Sequence, residues 1–316
     1  EADGRGLRAQ MLMLAVAVSL FFPALAAGEI AGQPVWGFVA PAGLSVLIGA
    51  FLFGIGMQLG GGCASGTLYA VGGGNTRMVV TLVFFVLGSV IATAHLPFWF
   101  ALPALPAVSL VHSLGLWPAL ALNLTLFGLI VGLSLLLEIR RHGTILRQPR
   151  LTWHLLRGPW PLWAGALALA LLNFATLALA GRPWGITAAF ALWGAKLFEA
   201  LGIGVREWPW WQAQAGVLDQ SIWQDVTSVM NIGIMIGALI AAALAGRFAP
   251  GWRIPLPSLL AAAIGGLLLG YGARLAFGCN IGAYFSAIAS GSLHGWLWAV
   301  AALVGTAVGV RLRPLF

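Results

Sequence analysis

The chain has 316 residues, of which 60% are hydrophobic and 8% charged, with 43 glycines, 15 tryptophans and a mean hydropathy of +0.96. A soluble globule carries about three times that share of charge, so the composition excludes one and points to a polytopic membrane protein. The net charge of +8 concentrates in Arg140, Arg141, Arg147, Arg150 and Arg157, a short connection that the positive-inside rule makes cytoplasmic; no nucleic-acid-binding fold accompanies it.

In chain order, apolar stretches of the roughly 17–25 residues that a crossing needs lie near 11–27, 36–58, 112–137, 161–181, 184–204 and 227–246. Shorter ones lie near 78–94, 258–272 and 295–310. The first follows Arg5 and Arg8 and has the layout of a secretory signal, yet it reads as a first membrane helix because the rest of the chain is itself apolar. Segment 95–111, with His95, Pro97, Pro103 and Pro106, reads as interfacial. Tryptophan groups such as Trp208, Trp210 and Trp211, or Trp296 and Trp298, suit interfacial belts or ordinary helix packing. No long hydrophilic stretch intervenes, so residues 1–316 are read as one all-α membrane domain of about eight to ten crossings.

The only cysteines occur in two copies of one glycine-rich segment, Gly-Ile-Gly-Met-Gln-Leu-Gly-Gly-Gly-Cys63-Ala-Ser-Gly and Gly-Tyr-Gly-Ala-Arg-Leu-Ala-Phe-Gly-Cys279-Asn-Ile-Gly. The same offset of 216 positions aligns Pro41 with Pro257, Gly49 with Gly265, Gly56 with Gly272, Leu59 with Leu275, Gly62 with Gly278 and Gly66 with Gly282. Repeat 1 is placed at about 11–94 and repeat 2 at about 227–312. Connecting helices lie at about 95–226, around the cytoplasmic loop 139–158. Placing Arg5 and Arg8, the basic loop, Arg247 and Arg253, and Arg311 and Arg313 on one side makes the repeats inverted, provided that 184–226 crosses an even number of times, as a re-entrant pair does. Inverted repeats with broken helices at matching positions point to a transporter's binding site near the bilayer midplane.

Glycine costs about 1 kcal/mol against alanine in a helix interior, so both helices are expected to break at the cysteines. Non-helical backbone at membrane depth survives only where protein covers it or it lines a polar cavity, which would give two thiols and free N–H groups around one path. Such N–H groups hold anions. Arg274, with Gln58 at the matching position, would add a charge at depth, although it can also snorkel to an interface. The candidate transport residues are thus Cys63 with Gly62, Ser65 and Gly66, and Cys279 with Gly278, Asn280 and Gly282, together with Arg274. A thiol is soft and polarizable, so a sulfur-bearing anion such as thiosulfate suits both the N–H groups and the thiols. Sulfite, sulfide, selenium analogues and small thiols remain open on these grounds.

Two cysteines without Cys-x-x-Cys spacing give no metal or redox signature, and no cofactor is expected; a disulfide between the repeats stays open. Gly266 and Gly270, matched by Ala50 and Gly54, form small-xxx-small pairs expected to bring the two repeat helices together. Gly72-Gly73-Gly74-Asn75 reads as the loop leaving the first broken helix. Lys196 and Glu199, three apart, are a possible intramembrane ion pair. His95 and His294 read as interfacial, and Asp219 and Asp225 as solvated.

The glycine-cysteine segments, together with Gly-Ser-Leu-His-Gly-Trp-Leu-Trp near the end, make the chain resemble the YeeE/YedE family of bacterial inner-membrane proteins, a sulfur-transport family. The resemblance implies an all-helical, hourglass-like pseudo-two-fold fold. It also implies thiosulfate passing along a line of thiols by S–H···S contacts, with Cys63 and Cys279 matching the two repeat-loop cysteines. Members can carry a further cysteine near the entrance, which this chain lacks. They are also associated with a TusA-like sulfurtransferase, which would here be a separate cytoplasmic partner. The expected function is thiosulfate transport across the inner membrane by a non-enzyme; the alternative is a thiol enzyme or carrier passing sulfane sulfur as persulfide to a soluble acceptor.

Overall fold

The computed structural model describes residues 3–146, 154, 156–251 and 253–316, so Arg147 and Arg150 of the basic loop lie outside the described residues. The helices are α1 (Arg5–Ala27), α2 (Leu44–Gly60), α3 (Ala64–Gly72), α4 (Thr76–Phe100), α5 (Leu110–Leu114), α6 (Leu116–His142), α7 (Leu162–Ala180), α8 (Thr187–Ala200), α9 (Pro209–Gln212), α10 (Ala215–Asp219), α11 (Val226–Leu244), α12 (Leu256–Leu275), α13 (Ala287–Ala289) and α14 (Leu293–Leu312), with a π-helical turn over Asn280–Ser286. Among the described residues, two-residue strands are the only sheet, pairing Glu29–Ile30 with Gln33–Pro34 and Ala42–Gly43 with Ala104–Leu105. Among the described residues, eight stretches are long and apolar enough to cross a bilayer, making this a multi-pass, all-α membrane protein.

The chain forms two compact units. One takes residues up to Val39, Val108–Trp184 and Phe285–Leu293, and so holds α1, α5, α6, α7 and α13. Its polar interior is closed on itself. Asn173 Nδ2 donates to Ser286 Oγ, Ser286 Oγ donates to the Trp184 carbonyl, and Trp184 N–H returns to Asn173 Oδ1. At the basic end of α1, fully buried Glu138 accepts from Arg8 at 2.9 Å and from the Gly4 N–H at 3.1 Å, so a carboxylate in an apolar helix is neutralised where it sits.

The other unit takes Ala40–Ala107, Gly185–Tyr284 and His294–Phe316, and contains both cysteines. At its centre α12 packs against α2 and α4. Glycines set the approach: a Cβ on Gly49 would lie 2.7 Å from the Gly272 carbonyl oxygen, and one on Gly56 would lie 2.9 Å from that of Gly265. Rising numbers on α2 therefore meet falling numbers on α12, and the two helices run antiparallel. The small-xxx-small pairs do a different job from the one expected. Gly266 and Gly270 seat α4, facing the Thr81 and Phe85 carbonyls, and Gly54 seats α14 at Ala302 and Thr306. One residue is about 100° of helix rotation, so Gly54 and Gly56, two positions apart, address different neighbours.

Shifted by 216 positions, the order of elements recurs. Helices α2 and α12 each end in a left-handed residue, Gly61 at φ +92° and Phe277 at φ +60°; then come α3 and the π-turn with α13, followed by α4 and α14.

Two sequence expectations change. Helix α4 continues past His95 and Pro97 to Phe100, so only the part beyond it is non-helical. Pro97 falls in the last turn, where it cannot donate to the Thr93 carbonyl four residues back, and the helix ends three residues later. Residues 184–204 do not cross as one helix: α8 has 14 residues, about 21 Å long, short of the roughly 30 Å hydrocarbon core. It lies antiparallel along the start of α11, with Trp193 Nε1 donating to Ser228 Oγ and Asn231 Nδ2 to the Ile186 carbonyl. Of the two readings left open for the tryptophans, Trp211 and Trp298 take the packing one and are core residues.

Candidate functional site

Both cysteines are free thiols, so no disulfide joins the two loops. In the first loop, α2 stops at Gly60 because Gly61 turns left-handed and returns its N–H to the Met57 carbonyl. Cys63 is then extended and caps α3: its Sγ accepts the Gly66 N–H at 3.5 Å and stands 3.3 Å from Ser65 Oγ. Its carbonyl accepts both the Thr67 N–H and the Thr67 hydroxyl, at 2.8 Å each. Cysteine thus replaces the Ser, Thr, Asp or Asn usual at this position, which puts the sulfur in front of the free N–H groups of a helix start. Gly62 runs beside Met78, whose Cε would lie 3.3 Å from an added Cβ.

The second loop follows the same route with different fillings. Here the left-handed residue is Phe277, which lacks glycine's freedom; such a conformation in a bulky residue is a strained outlier held by its surroundings. Those surroundings are aromatic: the Phe277 ring stacks on Phe100 at 5.0 Å and 12° and meets His294 edge-on. A cavity of about 220 Å³ borders them, lined also by Ser45 and Trp99. Ser45 Oγ holds the last carbonyl of α12, that of Leu275. Gly278, at φ +155°, passes so close to the next turn that a Cβ would lie 2.8 Å from the Ala283 nitrogen. Cys279 is fully buried, and its carbonyl accepts from both Ala283 and Tyr284, which widens the helix start into a π-turn, a form that recurs at functional sites.

Buried Cys279 stands immediately before the π-turn that begins at Asn280, as Cys63 stands immediately before α3. Open space lies in front of Gly282. Asn280 begins the π-turn with a buried Oδ1 that has no hydrogen-bond partner among the described residues, and the same holds for the buried Nε of Arg274 in the last turn of α12. Arg274 has no ion-pair partner among the described residues either. An unpaired guanidinium in the segment that leads to Cys279 is costly in hydrocarbon unless an anion or water meets it. Of the expected site residues, the structure therefore gathers Cys63, Gly62, Ser65 and Gly66 in one loop, and Cys279, Gly278, Asn280, Gly282 and Arg274 in or next to the other.

Lys196 and Glu199 belong elsewhere and do not pair. Lys196 Nζ donates to the Leu218 and Gln220 carbonyls at 2.7 Å each, while Glu199 and Asp219 both bind Arg206. The loop after α8 supplies nearer partners for each charge than the neighbouring turn does. Asp219 is thus paired rather than merely solvated, and Asp225 caps α11 through Ser228. His294 is buried rather than interfacial, and His95 meets the Tyr271 hydroxyl.

Sequence reasoning missed Arg77, whose guanidinium clamps the Leu59 and Gly60 carbonyls at 2.7 and 2.8 Å and so fixes the end of α2 before Cys63. A basic residue opening an apolar run reads as an orientation signal, and nothing local to it shows the distant carbonyls. Phe277 was missed likewise, since left-handed backbone at a phenylalanine has no sequence signature other than the matching glycine 216 positions before.

The profile of the family described as Sulphur transport matches residues 1–308. Probable transporter YedE of Escherichia coli K12 is 32% identical over 177 residues, covering 52% of this chain and 43% of its own length. The chain thus spans less than half the length of that relative, and the same holds for YedE of Salmonella typhimurium. Thiosulfate transporter TsuA of Spirochaeta thermophila is 31% identical over 276 residues, 82% of this chain and 74% of the relative. Thiosulfate transporter TsuA of Escherichia coli K12 is 27% identical over 285 residues, 83% and 72%. With its two thiols held in matching glycine loops and a family profile running over nearly its whole length, this chain belongs to the sulphur-transport family.

Proposed function

We propose that this chain carries thiosulfate, or a closely related sulfur anion, across the bacterial inner membrane, with Cys63 and Cys279 as transient ligands on one narrow path. The observation that carries the reading is the place of each thiol at a helix start: Cys63 caps α3, where its sulfur accepts the Gly66 N–H, and buried Cys279 stands immediately before the π-turn. Such a site offers donors for oxyanion oxygens and a soft group for a terminal sulfur. Arg274, unpartnered among the described residues, supplies the countercharge on the Cys279 side, so that side holds the anion more tightly. Asn280 faces the same ligand through its unpaired oxygen or, with the amide turned, its NH₂.

The two loops are proposed to be halves of an inverted repeat, spanning about 11–94 and 227–312 and joined by the helices and basic loop between them. Support comes from the antiparallel crossing of α2 and α12, where Gly49 meets Gly272 and Gly56 meets Gly265. Each contact joins one repeat position to the other's counterpart, the self-complementary pattern a two-fold relation produces. A separate TusA-like sulfurtransferase on the cytoplasmic side is the proposed acceptor of the imported sulfur.

Growth on thiosulfate as sole sulfur source, in a bacterial strain lacking its own uptake route, tests the reading. The wild-type chain is expected to support growth, and the Cys63→Ala and Cys279→Ala variants are not. Equal growth of all three removes the thiol path. A stoichiometric one-sulfur mass increase after exposure to thiosulfate would favour a persulfide carrier.

A further inference from the structure

The unit that holds both cysteines has a second basic feature, which the thiol loops leave unused. Beside Gly61, the turn leading into Cys63, lies a cavity of about 260 Å³ lined by Gln58, Gly61, Arg77, Ser258 and Arg313. Among the described residues no acidic side chain lines it; Phe316 lines it as well. Arg77 has five N–H donors. One goes to Ser258 Oγ at 2.8 Å, one to the Gly60 carbonyl and one to the Leu59 carbonyl, with Met78 Sδ a distant fourth contact at 3.9 Å. The guanidinium of exposed Arg313 has no hydrogen bond or ion pair among the described residues, and its charge acts on Arg77.

Capping the last carbonyls of α2 accounts for Arg77 alone, and the positive-inside rule accounts for arginines at this end of the helices. Neither accounts for two arginines lining one cavity that has no acidic side chain among the described residues. Like charges this close repel unless an anion or solvent screens them. Guanidinium forks match the geometry of tetrahedral oxyanions. Ser258 Oγ, which accepts from Arg77, still has its own proton to donate.

The geometry points to a second anion site, in which Arg77 and Arg313, with Ser258 and Gln58, hold a tetrahedral oxyanion beside the Cys63 loop. The oxyanion is either a free sulfur oxyanion or the phosphate of a lipid headgroup; both present the same charged oxygens. The site stands on this geometry alone, while a role as the inner resting place of the transported anion rests on the transport reading above. Arg77 would then join two events, because the same guanidinium touches the anion and fixes the backbone that leads to Cys63.

Sulfate favours this site over the thiol path, since it has no terminal sulfur to offer a thiol, and Arg313→Gln alters this site alone. Equilibrium binding of radiolabelled sulfate to the purified full chain in neutral detergent is expected to weaken about tenfold or more in Arg313→Gln, the loss of about 1.4 kcal/mol or more. The Cys63→Ala/Cys279→Ala double variant is expected to bind sulfate as the wild type does, whatever the fate of its thiosulfate uptake. Arg313 is exposed, so Arg313→Gln is expected to fold, and its melting curve checks this. Native mass spectrometry from phosphatidylcholine nanodiscs containing phosphatidylglycerol provides the lipid arm: retention of the anionic lipid by the wild type but not by Arg313→Gln identifies a headgroup as the source. Sulfate binding and anionic-lipid retention both unchanged by Arg313→Gln, or both absent from the wild type, would overturn the site.

Discussion

The loop at Cys63 and the loop at Cys279 share a backbone route and differ in almost everything that fills it. At the first, glycine takes the left-handed turn, the cysteine is half-buried, and the nearby cavity is walled by Arg77 and Arg313. At the second, phenylalanine is forced into the same turn, the cysteine is fully buried, and the nearby cavity is walled by Phe100, Trp99 and Phe277 itself. The two frames are alike, but one is polar and basic around its thiol and the other aromatic. On the proposed path an anion would therefore meet unlike surroundings at the two thiols.

The largest expected difference is in transport. Cys279→Ala is expected to lower the initial rate of thiosulfate uptake about a hundredfold and Cys63→Ala about tenfold, the loss of roughly 3 and 1.5 kcal/mol of interaction with a charged group. Initial-rate assays in cells check the order; a larger loss at Cys63 would break the assignment of the tighter station. Next, Arg274→Gln is expected to raise the KM about tenfold, in line with one charge-assisted contact, whereas Gln58→Ala, at the matching position, changes it little. Equal effects of the two would show that Arg274 does not distinguish the loops.

Smaller effects concern the frames themselves. Gly61→Ala places a Cβ on a left-handed residue 2.7 Å from Arg77 Nη1, and a fold cost of about 1–2 kcal/mol is expected. Gly282→Ala points into open space and is expected to stay within about 0.5 kcal/mol. Denaturation midpoints in detergent compare them. In single-cysteine variants, Cys63 is expected to react with a small methanethiosulfonate reagent faster than Cys279, in keeping with their exposure; the reverse order would contradict the burial.

The smallest effect lies outside the membrane. Arg206 pairs with Asp219 and Glu199 and holds the Asp219 carboxyl below its ordinary range through a hydrogen bond and its charge. That contribution is present above the ordinary aspartate range and is lost as the pH falls through the lowered value. Solvent screens the pair, so Asp219→Asn is expected to flatten the acid limb of the melting curve only slightly. Arg206 and Arg274 thus mark opposite uses of arginine, the one doubly paired and exposed, the other unpaired with its Nε buried.

The sequence made the frame legible because glycine is informative where backbones touch or turn. The 216-position offset already aligned the helix ends, the breaks and the cysteines, and Arg274 stood out as a charge in an apolar run. It assigned the wrong contacts wherever a neighbour distant in sequence decides: Gly270 faces α4 rather than α2, and Lys196 finds two carbonyls of a later loop rather than Glu199. Arg77 was invisible as a site residue because its partners, the Leu59 and Gly60 carbonyls, are backbone groups exposed only when α2 ends where it does. The strain at Phe277 could be read only from a backbone angle.

Uptake of radiolabelled thiosulfate into liposomes containing only the purified chain tests the central claim most directly. Uptake by the wild type, with near-background rates for Cys279→Ala and sharply reduced rates for Cys63→Ala at equal reconstitution, is the expected result. Wild-type rates in both variants would contradict it.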